Sequence, residues 1–409
     1  MILNRIHPYI ESILRTNQNS FRRGRSSSGQ LLIVRRILEG VRDKNLTAVL
    51  LFVDFSKAFD SIHRGKMREI LLAYRIPVKI VNAIMILYDY TTAKVRSPDG
   101  DTEFFKVLAG VLQGDTIAPY LFIICLDYIL RTSIDRQNNK GLLLKRRYSK
   151  RYPASYITDA DYADDIALIS NTIEGATSLL MVLEHAASKI GLKINTKKTE
   201  YFPINCQGSI QSISGQNLKS VENFTYLGSS ISSSAYDIKI RIGKAWSALK
   251  GLTVIWKSNL KEEIKKSFFR STVESVLLYG SSTWTLTKNM ETTLNGAYTK
   301  MLRAILNVSW KDRLTNKELY GKLLPITDVI RERRLRFVGH CFRNKNELAS
   351  NLLLWTPTHG SRKTGRSYKN YIDQLITDTG LTATELPQAM NDRNEWKRIV
   401  MQIRTSSTQ

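Results

Sequence analysis

Acidic residues are scarce in this chain: 36 Asp and Glu stand against 61 Lys and Arg, a formal net charge of +25 with an isoelectric point near 9.9. That imbalance argues against cationic partners and directs attention to polyanions, with nucleic acid first among them. Cysteine is also sparse, and Cys125, Cys206 and Cys341 are far apart and odd in number. They offer neither a disulfide framework nor a paired metal-ligand spacing, so they read as reduced thiols of an intracellular protein. His340, Cys341 and His359 make no zinc motif, because no second closely spaced ligand pair accompanies them. No uncharged apolar run reaches the about 18 residues a membrane helix needs, and Met1-Ile2-Leu3-Asn4-Arg5 lacks the apolar stretch of a secretory leader. Neither a membrane span nor secretion is expected, and no signal chooses between nucleus and cytoplasm. What is present is 43% hydrophobic residues, enough for a sizeable core and, at this length, about two to three domains.

Periodicity orders the rest. Apolar residues at helical spacing (Ile6, Ile10, Ile13, Leu14, then Leu31, Val34, Ile37, Leu38) flank a polar, basic loop containing Phe21-Arg22-Arg23-Gly24-Arg25-Ser26. Residues 47–55 are almost continuously apolar, the pattern of a strand buried on both faces, and this run reaches Asp54. Helices are expected over 66–74, 78–88 behind Pro77, and 118–131 entered through Pro119. Asp99-Gly100 predicts a hairpin turn between strands at 92–96 and 102–108. Residues 145–151 form a basic loop, and strands at 155–162 and 166–170 place Ala163-Asp164-Asp165 at a hairpin tip. A helix follows from about 173 to 190, with Asn171 as its cap and Gly191 at its end. Strands near 200–204 and 221–226 lead to a Ser-rich stretch, 229–234, where a domain boundary is expected. Beyond it the pattern is helical at 237–249, 262–278 and 291–306, and Trp246, Trp256, Trp284 and Trp310 read as core anchors. From about 325 the chain is basic again.

Asp54 and the Asp164-Asp165 pair lie 110 positions apart, yet on strands that one sheet could bring together. Hard divalent cations prefer oxygen ligands, and Mg²⁺ that also holds substrate phosphates takes only one or two protein carboxylates. Three convergent aspartates therefore suit a pair of metal ions and an in-line phosphoryl displacement.

Five blocks accompany them in order: Phe52-Val53-Asp54-Phe55-Ser56-Lys57-Ala58-Phe59-Asp60, Gly110-Val111-Leu112-Gln113-Gly114, Tyr162-Ala163-Asp164-Asp165, Gly191-Leu192-Lys193-Ile194-Asn195 through Lys198-Thr199-Glu200, and Phe224-Thr225-Tyr226-Leu227-Gly228. At these residues the chain resembles reverse transcriptases, specifically those of LINE-like (non-LTR) retrotransposons. The resemblance implies an α+β right-hand polymerase, with a palm and fingers around an antiparallel sheet over 1–234. A helical thumb over 235–324 and a basic C-terminal region over 325–409 would follow. It implies an RNA-directed DNA polymerase using two Mg²⁺ or Mn²⁺ ions, an RNA template, a DNA primer and dNTPs. Asp54 and Asp164 would be direct metal ligands, Asp165 would add charge or an occasional contact, and the Phe55 carbonyl would reach a metal. Phe59 matches a steric gate against the 2′-hydroxyl. Gln113 and Gly114 match the loop against the incoming nucleotide. Lys198 aligns with the lysine that protonates pyrophosphate, with Lys193 and Lys197 as close neighbours.

Phe224, Tyr226, Leu227 and Gly228 look like a primer grip. Arg22, Arg23 and Arg25 resemble the fingers arginines that meet the triphosphate or template, and Ser20, where relatives commonly have glycine, leaves the choice among them open. Arg331, Arg333, Arg334 and Arg336, with Lys363 and Arg366 in a Gly/Ser/Lys loop, would touch nucleic-acid backbone. Ser367 departs from the Gly-Arg-Pro common in related elements. Because LINE-like elements usually carry an upstream endonuclease and begin their fingers earlier, the chain reads as a fragment or truncated copy of an element's frame. An RNA-dependent RNA polymerase, opposed by Phe59, and a silent nucleic-acid-binding remnant are the rival readings.

Overall fold

The computed structural model describes residues 2–361 and 369–406, and packing divides them into two compact units. Residues up to 30, 41–222 and a returning segment from 357 form the first; 31–40, 223–356 and the chain from 369 form the second. The division after 222 precedes the Ser-rich stretch, and the helices on either side of 325 share one unit. Lys363, Arg366 and Ser367 lie outside the described residues.

The first unit is built on a five-stranded sheet whose order is Lys219–Ser220, Glu200–Ile204, Ala48–Val53, Asp165–Ser170, Asp159–Tyr162. All pairings are antiparallel except the outermost one between Glu200–Ile204 and Lys219–Ser220. Ala48–Val53 is central and every residue of it is buried, which is why it reads as an unbroken apolar run instead of alternating. Helices Arg64–Ala73, Val78–Tyr88, Ala118–Ser133 and Ile173–Ser188 supply the rest of the core, where Val49, Leu51, Phe122, Leu126, Leu179 and Leu183 are fully enclosed.

Three local expectations shift. The turn at 99–100 falls one residue earlier, because Ser97 pairs with Gly100 and leaves Pro98-Asp99 as the loop. The cap of Ile173–Ser188 is Thr172, whose hydroxyl accepts from the Gly175 amide. Asn171 instead holds a neighbouring strand, its Oδ1 accepting from Leu143 N–H and its Nδ2 donating to the Gly141 carbonyl. The strand expected at 221–226 is two short pieces, Lys219–Ser220 and Thr225–Tyr226, one in each unit.

The second unit is helical, chiefly Ser234–Gly251, Glu262–Phe269, Lys288–Leu306, Ile326–Arg343, Tyr371–Thr379 and Arg393–Ser406. The single helix expected over 262–278 carries a π turn at Arg270–Glu274 before Ser275–Leu277. Trp256 and Trp284 are core anchors as expected, packed with Phe269, Tyr298 and Met301, while Trp246 lies half-buried against the same cluster. No described helix is long and apolar enough to cross a membrane.

Candidate active site

The sheet register brings the acidic residues together. Val53 pairs with Ile166 and Tyr162 with Asp165, so extending the antiparallel pairing by one residue sets Asp54 across from Asp165 at the end of adjacent strands. Asp54 and Asp164 are half-buried, and Asp165 opens to solvent. Their charges sense one another. Burial raises the Asp164 carboxyl above its usual range, and the Asp54 charge raises it further. Asp165 is pushed up to about 6, first by burial and then by Asp164 and Asp54. Carboxylates crowded enough to hold each other's protons are a ready site for divalent cations, since the same repulsion is relieved by a bound cation. Among the described residues no three acidic, histidine or cysteine side chains are preassembled as a metal cage. The donors offered by Asp54, Asp164 and Asp165 are carboxylate oxygens, the hard type that magnesium takes one or two at a time.

The tip itself is strained. Tyr162 and Asp165 close a two-residue loop in which Ala163 takes φ 54°, a conformation costly for a residue with a Cβ. A buried glutamine holds it there. Gln18, 3% exposed, accepts the Ala163 N–H on Oε1 at 2.9 Å and donates from Nε2 to the Ala163 carbonyl at 3.4 Å. Its Oε1 also takes the Ser20 N–H at 2.9 Å. On either side, Asn19 N–H donates to the Asp161 carbonyl at 2.9 Å and Asp161 N–H to the Asn17 carbonyl at 3.1 Å. Residues 17–19 thus extend the sheet edge beside the strand Asp159–Tyr162. Beneath them Arg15 joins Asp159 at 2.8 Å and Asp161 at 3.1 Å, and both carboxylates are fully buried. Sequence reasoning missed this brace. Its traces were the polar triplet Asn17-Gln18-Asn19 and the alternation Asp159-Ala160-Asp161, which aims two carboxylates at one face of a strand and calls for a buried cation.

The other side of the site is organised around Asp54 and Phe59. Asp54 N–H donates to Thr199 Oγ1 at 3.2 Å, and Asn195 N–H donates to the Asp54 carbonyl at 2.8 Å. The turn carrying Lys198 is thereby tied to the first aspartate, and the Lys198 side chain is exposed, as are Lys193 and Lys197. Phe55, buried, bridges to Ile194. Phe59 sits on a short helix, Ala58–Ser61, half-buried and stacked on Phe122 with ring centroids 4.3 Å apart; Phe21 meets it edge-on at 6.5 Å. Val111 N–H donates to the Phe59 carbonyl at 2.7 Å, and Gln113 Nε2 to Asp60 Oδ1 at 3.1 Å. Gly110 permits this approach: a Cβ there would lie 2.5 Å from the Asp60 backbone. Gln113 and Gly114 are exposed.

The fingers arginines separate. Arg22 is buried, with its guanidinium donating to Glu11 Oε1 at 2.8 Å and to the carbonyls of Arg15, Gln18 and Glu11. It is committed to the loop, a correction to its expected contact with triphosphate. Arg25 Nη1 donates to the Thr16 and Gln18 carbonyls from a half-buried position, and Arg23 is exposed. Ser20 is buried without needing positive φ; Phe21, at φ 54°, takes the left-handed turn instead.

The remaining sites belong to the second unit. Tyr226 pairs with Ser229 around Leu227 (φ 46°) and Gly228 (φ 73°), the double positive φ of a tight hairpin. Tyr279 Oη donates to the Leu227 carbonyl at 2.7 Å, and Arg241 donates to that of Gly228. Asp237, fully buried, anchors the hairpin base by accepting from Ser230 N–H, Ser229 Oγ, Arg35 and Trp284 Nε1. In Ile326–Arg343, Arg334 is 1% exposed and bonded to Asp378, so it is a buried ion pair and not a phosphate contact as expected. Arg331 pairs with Asp328 and Asp378 and Arg336 with Glu332, while Arg333 is exposed.

Residues 1–231 match the family described as reverse transcriptase (RNA-dependent DNA polymerase). An uncharacterised transposon-derived protein of Caenorhabditis elegans is 26% identical over 272 residues, 61% of this chain and 98% of that protein. The Pol polyprotein of the R2 retrotransposable element of Drosophila melanogaster is 30% identical over 146 residues, 36% of this chain but only 13% of the much longer fly protein. Among solved structures, apo telomerase of Candida tropicalis aligns over 97% of this chain and 61% of its own at 12% identity and a TM-score of 0.41, too low to bear on the argument. With more than half of its length matched, the chain belongs to the reverse transcriptase family, among relatives from R2-type non-LTR retrotransposons.

Proposed function

We propose that the chain extends a DNA primer with dNTPs on an RNA template. The observation that carries this reading is the convergence of Asp54 with the Asp164-Asp165 tip across adjacent strands. Asp54 and Asp164, with the Phe55 carbonyl and the charge of Asp165, would hold two Mg²⁺ or Mn²⁺ ions. When bound, these supply a deprotonated 3′-hydroxyl and charge neutralisation at the leaving pyrophosphate. The bond that forms joins the primer 3′-oxygen to the α-phosphorus; the bond that breaks releases pyrophosphate, to which Lys198 gives a proton. Phe59, fixed by its stack on Phe122, leaves no room for a 2′-hydroxyl. Gln113 and Gly114 bound the nucleotide pocket beside it, and Arg23 and Arg25 meet triphosphate or template. The turn at Leu227-Gly228 grips the primer, and the helices over 235–324 serve as thumb. In the C-terminal region Arg333 and Arg336 offer phosphate contacts.

Primer extension on poly(rA)/oligo(dT) tests the reading. Incorporation of dTTP is expected, with UTP strongly disfavoured, and Asp164→Asn should lower the rate by about 10³. Equal use of UTP would point to an RNA polymerase, and product independent of Asp164, or none, to a nucleic-acid-binding remnant.

A further inference from the structure

Immediately before the strand that leads to the catalytic tip, the chain makes another hairpin, Leu142–Lys145 paired with Ser155–Ile157. Lys145 ends its first strand, the connecting loop carries Arg146, Arg147, Lys150 and Arg151, and the sequence from 141 to 157 contains no acidic residue. All five cations are exposed, and among the described residues none of them forms an ion pair. Three tyrosines are interleaved with the charges: Tyr148 is 89% exposed, Tyr152 61% and Tyr156 37%. The loop is not a loose tail. Tyr148 and Ser149 N–H both donate to the Tyr152 carbonyl, at 3.0 and 3.3 Å, and Tyr152 N–H donates to Ser149 Oγ at 3.2 Å. The hairpin base is fastened to the sheet where Gly141 bridges Ser170. The field of the loop is felt locally: His359 is kept below the usual imidazole range first by burial and then by the charge of Arg146.

From these observations we infer that this hairpin is a binding site for single-stranded polynucleotide, with the five cations meeting phosphates and Tyr148 and Tyr152 offering faces on which bases stack. The choice of single strands over duplex rests on the tyrosines. A nearly fully exposed aromatic ring has no role against a stacked helix, whereas an unpaired base gives it a partner of any sequence. The site lies outside the nucleotidyl-transfer residues and does not depend on the polymerase reading.

The test is binding of fluorescent single-stranded RNA to the full chain carrying Asp164→Asn, so that catalysis plays no part. Titrations at several salt concentrations compare this protein with Arg146→Gln/Arg147→Gln/Arg151→Gln and with Tyr148→Ala. Counterion release predicts that the triple variant lowers the slope of log K against log salt by roughly 2, and Tyr148→Ala weakens binding about tenfold with little change of slope. Circular dichroism and melting temperatures check that both variants remain folded, which their exposed positions favour. Unaltered slope and affinity would overturn the inference and leave the loop as solvated surface. Loss of heparin binding without loss of RNA binding would overturn it too. So would an equal loss for duplex and single strands with Tyr148→Ala silent. A protein that binds RNA through this hairpin yet incorporates no dTTP would sink the polymerase reading alone.

Discussion

Two hairpins occupy consecutive stretches of the same chain and treat charge in opposite ways. The tip at Ala163-Asp164-Asp165 is braced from behind by Gln18, with the adjacent strand held by Arg15 through Asp159 and Asp161. The loop over 145–151 holds its five cations in solvent, with only a short turn to shape it. The difference follows from what each would bind. An in-line displacement loses about a hundredfold in rate when reacting atoms are misplaced by about 1 Å, so its ligands must be fixed before substrate arrives. Polyelectrolyte binding depends on how many charges meet phosphates and is tolerant of where each one sits.

The steepest way to break this contrast is to loosen the brace. Gln18→Met keeps the volume but leaves the Ala163 N–H without its acceptor in a buried place, where such a group costs about 1–3 kcal/mol. The tip then has reason to leave φ 54°, and kcat for dTTP should fall about 10- to 100-fold while KM stays within about threefold. Glycine adopts positive φ without penalty, so adding Ala163→Gly should recover part of the loss. A variant merely less stable would show a lower melting temperature and no such rescue, and that outcome would reduce Gln18 to a core residue.

How much of this was visible beforehand follows the same division. Asp54 and the aspartate pair announce themselves through apolar runs and turn residues, because strand burial and a tight tip impose local composition, whereas Phe59 stood out only through the family resemblance. The convergence of the two segments was also legible, as two strands ending in carboxylates. What the sequence hid were pairings between distant polar residues. Nothing local to Arg22 distinguishes a guanidinium folded back on Glu11 and backbone carbonyls from one aimed at a triphosphate, and Arg25 shares part of that ambiguity. Arg334 looked like its neighbours Arg333 and Arg336, yet helix phase turns it inward to Asp378. A charge run records how many cations exist, and only the fold shows which are already matched.

A smaller effect separates the two tips by titration. Asp165 binds its proton more tightly in the folded protein, near pH 6, than a free aspartate does near about pH 3.9. The folded state thus carries the extra proton between those values, so stability falls as pH rises through that window and is level above it. Asp165→Asn removes that penalty. Without metal it should melt slightly higher than the parent at pH 7 and no differently at pH 4, and added Mg²⁺ should narrow the gap by stabilising the parent more. Melting curves in EDTA and in Mg²⁺ decide it; a variant that melts lower at pH 7 without metal would mean the crowding of carboxylates is relieved some other way. The basic hairpin, whose charges are exposed, should show salt dependence in place of this pH dependence.

The smallest change is expected where the sequence placed the most arginine. In Ile326–Arg343, Arg336 lies 2.6 Å from Glu332, which also receives Arg404, and Arg331 is shared between Asp328 and Asp378. A cation already matched by a carboxylate releases few counterions when it meets a phosphate, because binding exchanges one anion for another. Arg333→Gln with Arg336→Gln should therefore lower the salt slope for RNA by less than about 1, against roughly 2 for the three arginines of the hairpin. An equal drop from both sets would show that these ion pairs open on RNA, and the helix would regain the role its composition suggested. The comparison turns on pairing because Glu332 and Asp378 are fixed partners within the helix's own unit, whereas no carboxylate lies within the hairpin from 141 to 157.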